Sequence, residues 1–330
     1  MCISTHEKAV LKNNADVEKE EVRKPDFSKV KAEARAFVQS LSVSDFINPQ
    51  KPWILVPNGS FMGFFDFVPP AFRKGPWGVV PSMFVALVIY GVLHGAVYNY
   101  STQGLHALPN NYYEAWTIPW YLNLGGLLWT SYVYRDLFVS GIGLPALVTF
   151  TVQSYSYIWL RFFLSTMAPF VPSLGTANEL LRYPILSQST VTFIVWNFIL
   201  FPVILFCIKD PVKRKAFLSY FTNFRLQQLH FFHMFLAAFS GIYGTPPRPL
   251  LWTDLYASLT LGLCYCLFYI LVLDRLGMHF YMIFSPRTLL AIPSWSLVLA
   301  STIGLFSVWG KLIQTHGGYW EGIRISDAME

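Results

Sequence analysis

Two histidines, His230 and His233, stand three residues apart in the apolar run Leu226 to Ile242, LQQLHFFHMFLAAFSGI. On a helix, positions i and i+3 are neighbours, so both rings lie on one face. An imidazole in hydrocarbon is costly unless its nitrogens are answered, which makes an intramembrane histidine pair a mark of function by default. As a general base, such a ring needs a nucleophile whose proton it can take. A hydroxyl is inert at its own pKa and attacks a carbonyl only as that proton leaves. A second apolar run, LPALVTFTVQSYSYIWLRFFLSTM, offers one: Thr149, Gln153 and Ser156 fall at i, i+4 and i+7 and share a face. A threonine in such a helix otherwise bonds back to a carbonyl of its own preceding turn. Thr149 beside a histidine is the minimal pair for cleaving an ester by acyl transfer.

The elements that must position these groups are read from the apolar runs. The 330-residue chain is 54% hydrophobic and 13% charged, and its apolar residues are gathered rather than dispersed. That is the composition of a multi-span membrane protein. About 20 residues cross the hydrocarbon, and seven runs qualify: Trp77 to Tyr98, Ile118 to Phe138, Leu144 to Ala168, Thr190 to Ile208, Leu226 to Ile242, Leu255 to Leu273 and Leu289 to Trp309. The fold class predicted is all-α, a polytopic transmembrane helix bundle of about seven spans with an N-terminal cytoplasmic amphipathic segment. Residues 77–312 form the bundle and 313–330 a short tail. Residues 1–76 comprise a Lys/Glu-rich mobile tail, an amphipathic helix between Asp26 and Leu41, and an interfacial stretch rich in Pro, Phe and Trp.

Charge orients the bundle. With the N-terminus inside, nineteen Lys and Arg fall on the cytoplasmic side and four on the other, with Arg161 left inside a span; short loops alone divide eight to two. Thr149 and the two histidines then enter from the same side, roughly 5 to 11 Å below the interface at 1.5 Å per residue. They are placed to meet, whereas Thr117 lies at the opposite face. The net charge of +6 gathers where anionic headgroups would be met and points to membrane lipids as partners, with no nucleic acid. Proline in Phe201-Pro202-Val203 predicts a kink in the fourth span. The four cysteines imply no disulfide framework.

Two readings compete with hydrolysis. His94, His230, His233 or His279 could hold a haem or a metal in a redox protein, although one HxxH cannot supply the several histidine boxes of a di-iron desaturase. His106 reads as a solvated loop residue. Alternatively, the histidines make interhelical hydrogen bonds in a transporter or lipid-binding protein, though no inverted repeat is visible. A retinal photoreceptor is disfavoured because the seventh span has no lysine before Lys311.

Four blocks carry a resemblance: Val148-Thr149-Phe150, Phe201-Pro202-Val203, His230-x-x-His233 and Gly277-Met278-x-x-Tyr281. In this order and spacing, over roughly Phe138 to Trp309, the chain resembles the androgen-induced protein family, intramembrane threonine hydrolases that cleave fatty acid esters of hydroxy fatty acids. It departs from that family in an additional apolar run at its front. The resemblance implies Thr149 as nucleophile and His233 as base, with His230, Gln153 and Tyr281 as supporting positions. It also implies a fatty acyl ester substrate, no cofactor or metal, and an internal membrane such as the endoplasmic reticulum.

Overall fold

The structure, a computed structural model, describes residues 79–102, 107–139, 144–208, 210–274, 278, 280–286, 288 and 290–316. The predicted amphipathic helix, the interfacial aromatic stretch, His106, Gly277 and His279 lie outside the described residues. All the described secondary structure is helical. In chain order it comprises α1 Val79–Thr102, α2 Ile118–Val139, α3 Leu144–Leu147, α4 Phe150–Met167, α5 Ser173–Leu180 and α6 Arg182–Ile194. There follow α7 Phe201–Cys207, α8 Pro211–Phe221, α9 Phe224–Gln227, α10 His233–Tyr243, α11 Trp252–Phe268 and α12 Ala291–His316. Each of the seven apolar runs is helical over most of its length, because a backbone in an apolar setting must satisfy its own polar groups. The last helix continues to His316, into what the sequence reads as tail.

Among the described residues, three helical stretches are long and apolar enough to cross a membrane: Ser173–Phe206, Trp252–Leu273 and Ala291–His316. The outer surface is correspondingly apolar, with Leu87, Val97, Leu128, Phe206 and Ile303 exposed. An apolar surface of this kind suits lipid better than water.

The core is organised on α6. This helix packs against α4, α10, α11 and α12, and every residue from Arg182 to Thr192 is buried. The sequence starts the fourth span at Thr190, and the structure corrects this by starting the helix at Arg182. The segment RYPILSQS is too polar to read as a span, but its polar groups find partners inside the bundle. Ser187 shares a 2.5 Å hydrogen bond with Ser258, Ser189 lies 3.4 Å from Ser154, and Thr190 donates to the Leu186 carbonyl and accepts from the Trp309 indole.

Beyond Ile194, the chain forms a π-helical turn, Val195–Leu200, in which the Phe201 N–H reaches back to the Trp196 carbonyl. Pro202 follows directly. The wide turn is a recognised way for a helix to absorb a ring that cannot donate a hydrogen bond. Two further π turns, Gln228–Phe232 and Tyr269–Leu273, precede α10 and follow α11. All three lie toward the end of the bundle where α4 begins.

Packing of α2 on α4 is close at Gly126. A Cβ built there would come within 2.5 Å of the fully buried Phe162 ring, whereas one at Gly125 would meet nothing within 4 Å. Gly126→Ala is therefore expected to lower stability by about 1–3 kcal/mol through overpacking. Gly125→Ala should be neutral or slightly stabilising, by up to about 1 kcal/mol of helix propensity. Paired thermal melts of the two variants in detergent check this.

Candidate functional site

The helix that the sequence carries through Thr149 is interrupted there. Thr149 has extended backbone (φ −78°, ψ 146°) and is the N-cap of α4. Its hydroxyl donates to the Ala146 carbonyl at 2.8 Å and accepts from the Val152 N–H at 3.3 Å, the ordinary work of a capping threonine. The expected proximity of α4 and the histidine helix at their starts does occur, but through a different hydroxyl. Thr151, buried within the first turn of α4, has its Oγ1 3.4 Å from Nε2 of His230 and 3.4 Å from the phenol of Tyr281.

The His230 ring is fixed on three sides. Nδ1 lies 3.2 Å from the Leu226 carbonyl. A carbonyl only accepts, so Nδ1 carries the proton, and the neutral ring presents Nε2 to Thr151 as an acceptor. The ring also stacks on the Trp196 indole, with centroids 4.1 Å apart and planes at 26°. Trp196 belongs to the first π turn, and its neighbour Asn197 donates to the carbonyls of Phe193 and His230, both at 2.8 Å. The irregular turns thus clamp the ring that meets Thr151.

Tyr281 is held from behind, since the Tyr269 hydroxyl donates to its carbonyl at 3.1 Å. Burial, opposed by weaker hydrogen bonds from Thr151 and Thr149, raises the Tyr281 phenol above its ordinary pKa. It therefore keeps a proton to donate.

His233 is fully buried, and neither ring nitrogen has a hydrogen-bond partner among the described residues. No hydrogen bond joins it to Thr149. Gln153 is half-buried, and its side chain makes no hydrogen bond among the described residues. Ser156 turns toward α2, 2.5 Å from the Tyr134 hydroxyl. Thr117 precedes α2 at the other end of the bundle, donating to the Glu114 carbonyl. His94 is exposed on the outer face of α1, beside Tyr90, and does not join the other histidines. Among the described residues, no three His, Cys, Asp or Glu side chains converge as a metal site.

Two neighbouring hollows open near the start of α4, and the smaller touches Thr151. The small one is lined by Thr151, Trp196 and Tyr281 together with Phe150, Val191 and Phe284. A larger, partly open crevice lies between α1, α6, α11 and α12 and shares Phe150 and Val191 as walls. Its lining is mostly apolar, with Val88, Leu263 and Val298 typical of it and Gln188, Ser258 and Thr302 as polar exceptions.

A second polar centre, which the sequence reading missed, occupies the opposite end of the bundle. Arg182 and Arg248, counted from sequence as loop charges, are buried with Arg161, Glu179 and Asp254. Glu179 sits among all three arginines: Arg248 Nε at 2.6 Å, Arg182 Nη2 at 3.1 Å and Arg161 Nη2 at 3.7 Å. Arg248 also grips Asp254 through two parallel bonds of 2.7 Å. Burial works against the Arg248 cation, but the bonds and charges of Asp254 and Glu179 outweigh it and hold its pKa above the ordinary value. The signal available in the sequence was Arg161, since an arginine inside an apolar span requires a partner.

No protein-family model, no curated protein and no solved structure matches this chain.

Proposed function

We propose that the chain is an integral, multi-pass membrane hydrolase that cleaves fatty acyl esters, with about seven spans, a cytoplasmic N-terminus and a place in an internal membrane such as the endoplasmic reticulum. The observation that carries this reading is the arrangement Leu226 carbonyl, His230, Thr151, Tyr281. It has the parts of an acyl-transfer site: an oriented base, a hydroxyl before its free nitrogen and a second donor beside that hydroxyl. The resemblance to intramembrane threonine hydrolases supports the same chemistry. The nucleophile is moved from Thr149 to Thr151 and the base from His233 to His230, because Thr149 is committed as a cap.

In the proposed reaction, Thr151 Oγ attacks the ester carbonyl as His230 Nε2 takes its proton. The carbonyl π electrons move to oxygen, where the Tyr281 O–H donates a hydrogen bond to the developing charge. Collapse expels the alcohol, which receives the proton from His230, leaving an acyl-threonine. A water molecule, deprotonated by the same nitrogen, then releases the fatty acid and restores Thr151. The Thr151–Nε2 separation of 3.4 Å is long for a ground-state hydrogen bond, as in sites that tighten only around substrate.

The apolar crevice suits the acyl chain through the chemistry of its walls, which are mostly hydrocarbon with a few polar groups, as in small-molecule sites generally. Gly262 lines it, and a Cβ there meets nothing within 4 Å. Gly262→Leu is expected to fill the space without strain. With the full chain in detergent and p-nitrophenyl esters of graded length, long-chain turnover should fall roughly tenfold, the loss of about 1.4 kcal/mol of binding, and short-chain turnover should persist. Turnover of no ester by the unaltered chain would refute the hydrolase reading.

A further inference from the structure

We propose that the buried arginine cluster at the end of the bundle remote from His230 is a binding site for a single monovalent anion. The inference does not depend on the hydrolase reading, for Arg161 lies ten residues along α4 from Thr151, about 15 Å at helical rise.

The first argument is charge. Among the described residues, the ionic groups acting on Arg161 and Arg182 are Arg248, Glu179 and Asp254. Three guanidiniums therefore face two carboxylates, leaving one positive charge in excess. Arg161, Arg182, Glu179 and Asp254 are fully buried and the Arg248 side chain is 9% exposed. Uncompensated charge at such depth is unfavourable unless a counterion joins it.

The second argument is the set of donors left over. Thr245 Oγ1 takes hydrogen bonds from both Arg161 and Arg182, Asn178 Oδ1 takes one from Arg161 Nε, and the Pro246 carbonyl takes one from Arg182. Still without partners are Arg161 Nη1, Arg182 Nε, Arg182 Nη1 and Asn178 Nδ2. All four are donors, on side chains with no exposed surface. Of the acceptors there, Glu179 Oε1 makes no directed hydrogen bond but already faces two guanidiniums, and the Tyr113 phenol that acts on Arg182 is itself also a donor. Surplus donors and surplus positive charge in one buried place call for a ligand that only accepts and is negative. A halide meets that description, and so does a carboxylate, free or carried by a lipid.

The test uses the full chain purified in non-ionic detergent with divalent sulfate as the only background anion. Bromide, formate or sub-micellar laurate is then added at constant ionic strength while thermal unfolding is followed. A saturable rise is expected, about 5 °C at a hundredfold excess over half-saturation. Response to bromide and formate identifies a small free anion, and response to laurate alone identifies a lipid-borne carboxylate. Asn178→Asp places an internal carboxylate where the orphan amide stands and should abolish the response. Arg182→Gln removes the excess charge and should abolish it too. No saturable shift with any of the three anions in the unaltered chain would overturn the proposal, as would an undiminished shift in either folded variant.

Discussion

Thr151→Ala is expected to lower ester turnover by roughly 10⁴-fold or more, the size of effect seen when a covalent nucleophile is removed. Thr151→Ser, which keeps a hydroxyl, should retain measurable turnover. His230→Ala should match Thr151→Ala, and the double variant should be little worse than either, because a nucleophile and its base act as one unit. The sequence-derived pair behaves differently on this reading. Thr149→Ala removes a helix cap, costs about 1 kcal/mol of stability and changes turnover by about tenfold or less. His233→Leu removes an imidazole with no hydrogen-bond partner among the described residues and spares the chemistry. Turnover by the full chain in detergent, with labelling by an alkyl fluorophosphonate and a thermal melt as folding control, measures all five single variants and the double. Full activity in Thr151→Ala, with loss in Thr149→Ala and His233→Leu, would return the site to the pair read from sequence.

The largest stability effect is expected at Glu179. Glu179→Gln keeps the shape but leaves three buried guanidiniums facing Asp254 alone. Breaking a buried ion network from one side costs about 3–5 kcal/mol, so the melting midpoint should fall by roughly 10 °C. Asp136 offers the contrast. It pairs with Arg225 at 2.5 Å, but the two side chains are 28% and 33% exposed, and such a pair contributes about 1 kcal/mol or less. Asp136→Asn should move the midpoint little. Equal shifts in the two variants would show that the cluster does not hold the end of the bundle together.

How much of the site was legible in the sequence differs from residue to residue. His230 and His233 were legible as buried groups in need of partners because few other residues interrupt the apolar runs, and hydrocarbon penalises each one. Their common depth with the first turn of α4 followed from counting loop charges. The choice between Thr149 and Thr151 was not legible. Both are threonines in one apolar run, and only the cap geometry shows that the helix begins after the first and turns the second toward His230. The tautomer of His230 was equally hidden, since it rests on Leu226 presenting its carbonyl across an irregular turn.

By itself the sequence determined an all-helical chain with membrane-crossing character and a histidine pair to be answered, because hydropathy and backbone hydrogen bonding are local properties of each segment. Tertiary structure alone decided which hydroxyl answers His230, and it converted Arg182 and Arg248 from apparent loop charges into a buried network with Glu179 and Asp254. Those outcomes depend on contacts between side chains as far apart in sequence as Thr151 and His230, 79 residues, or Glu179 and Arg248, 69 residues. The free energy of such contacts belongs to the packed assembly of helices, where a partner, a stacked ring or an excluded water sets the energy of a charge that its own neighbours in sequence leave undetermined.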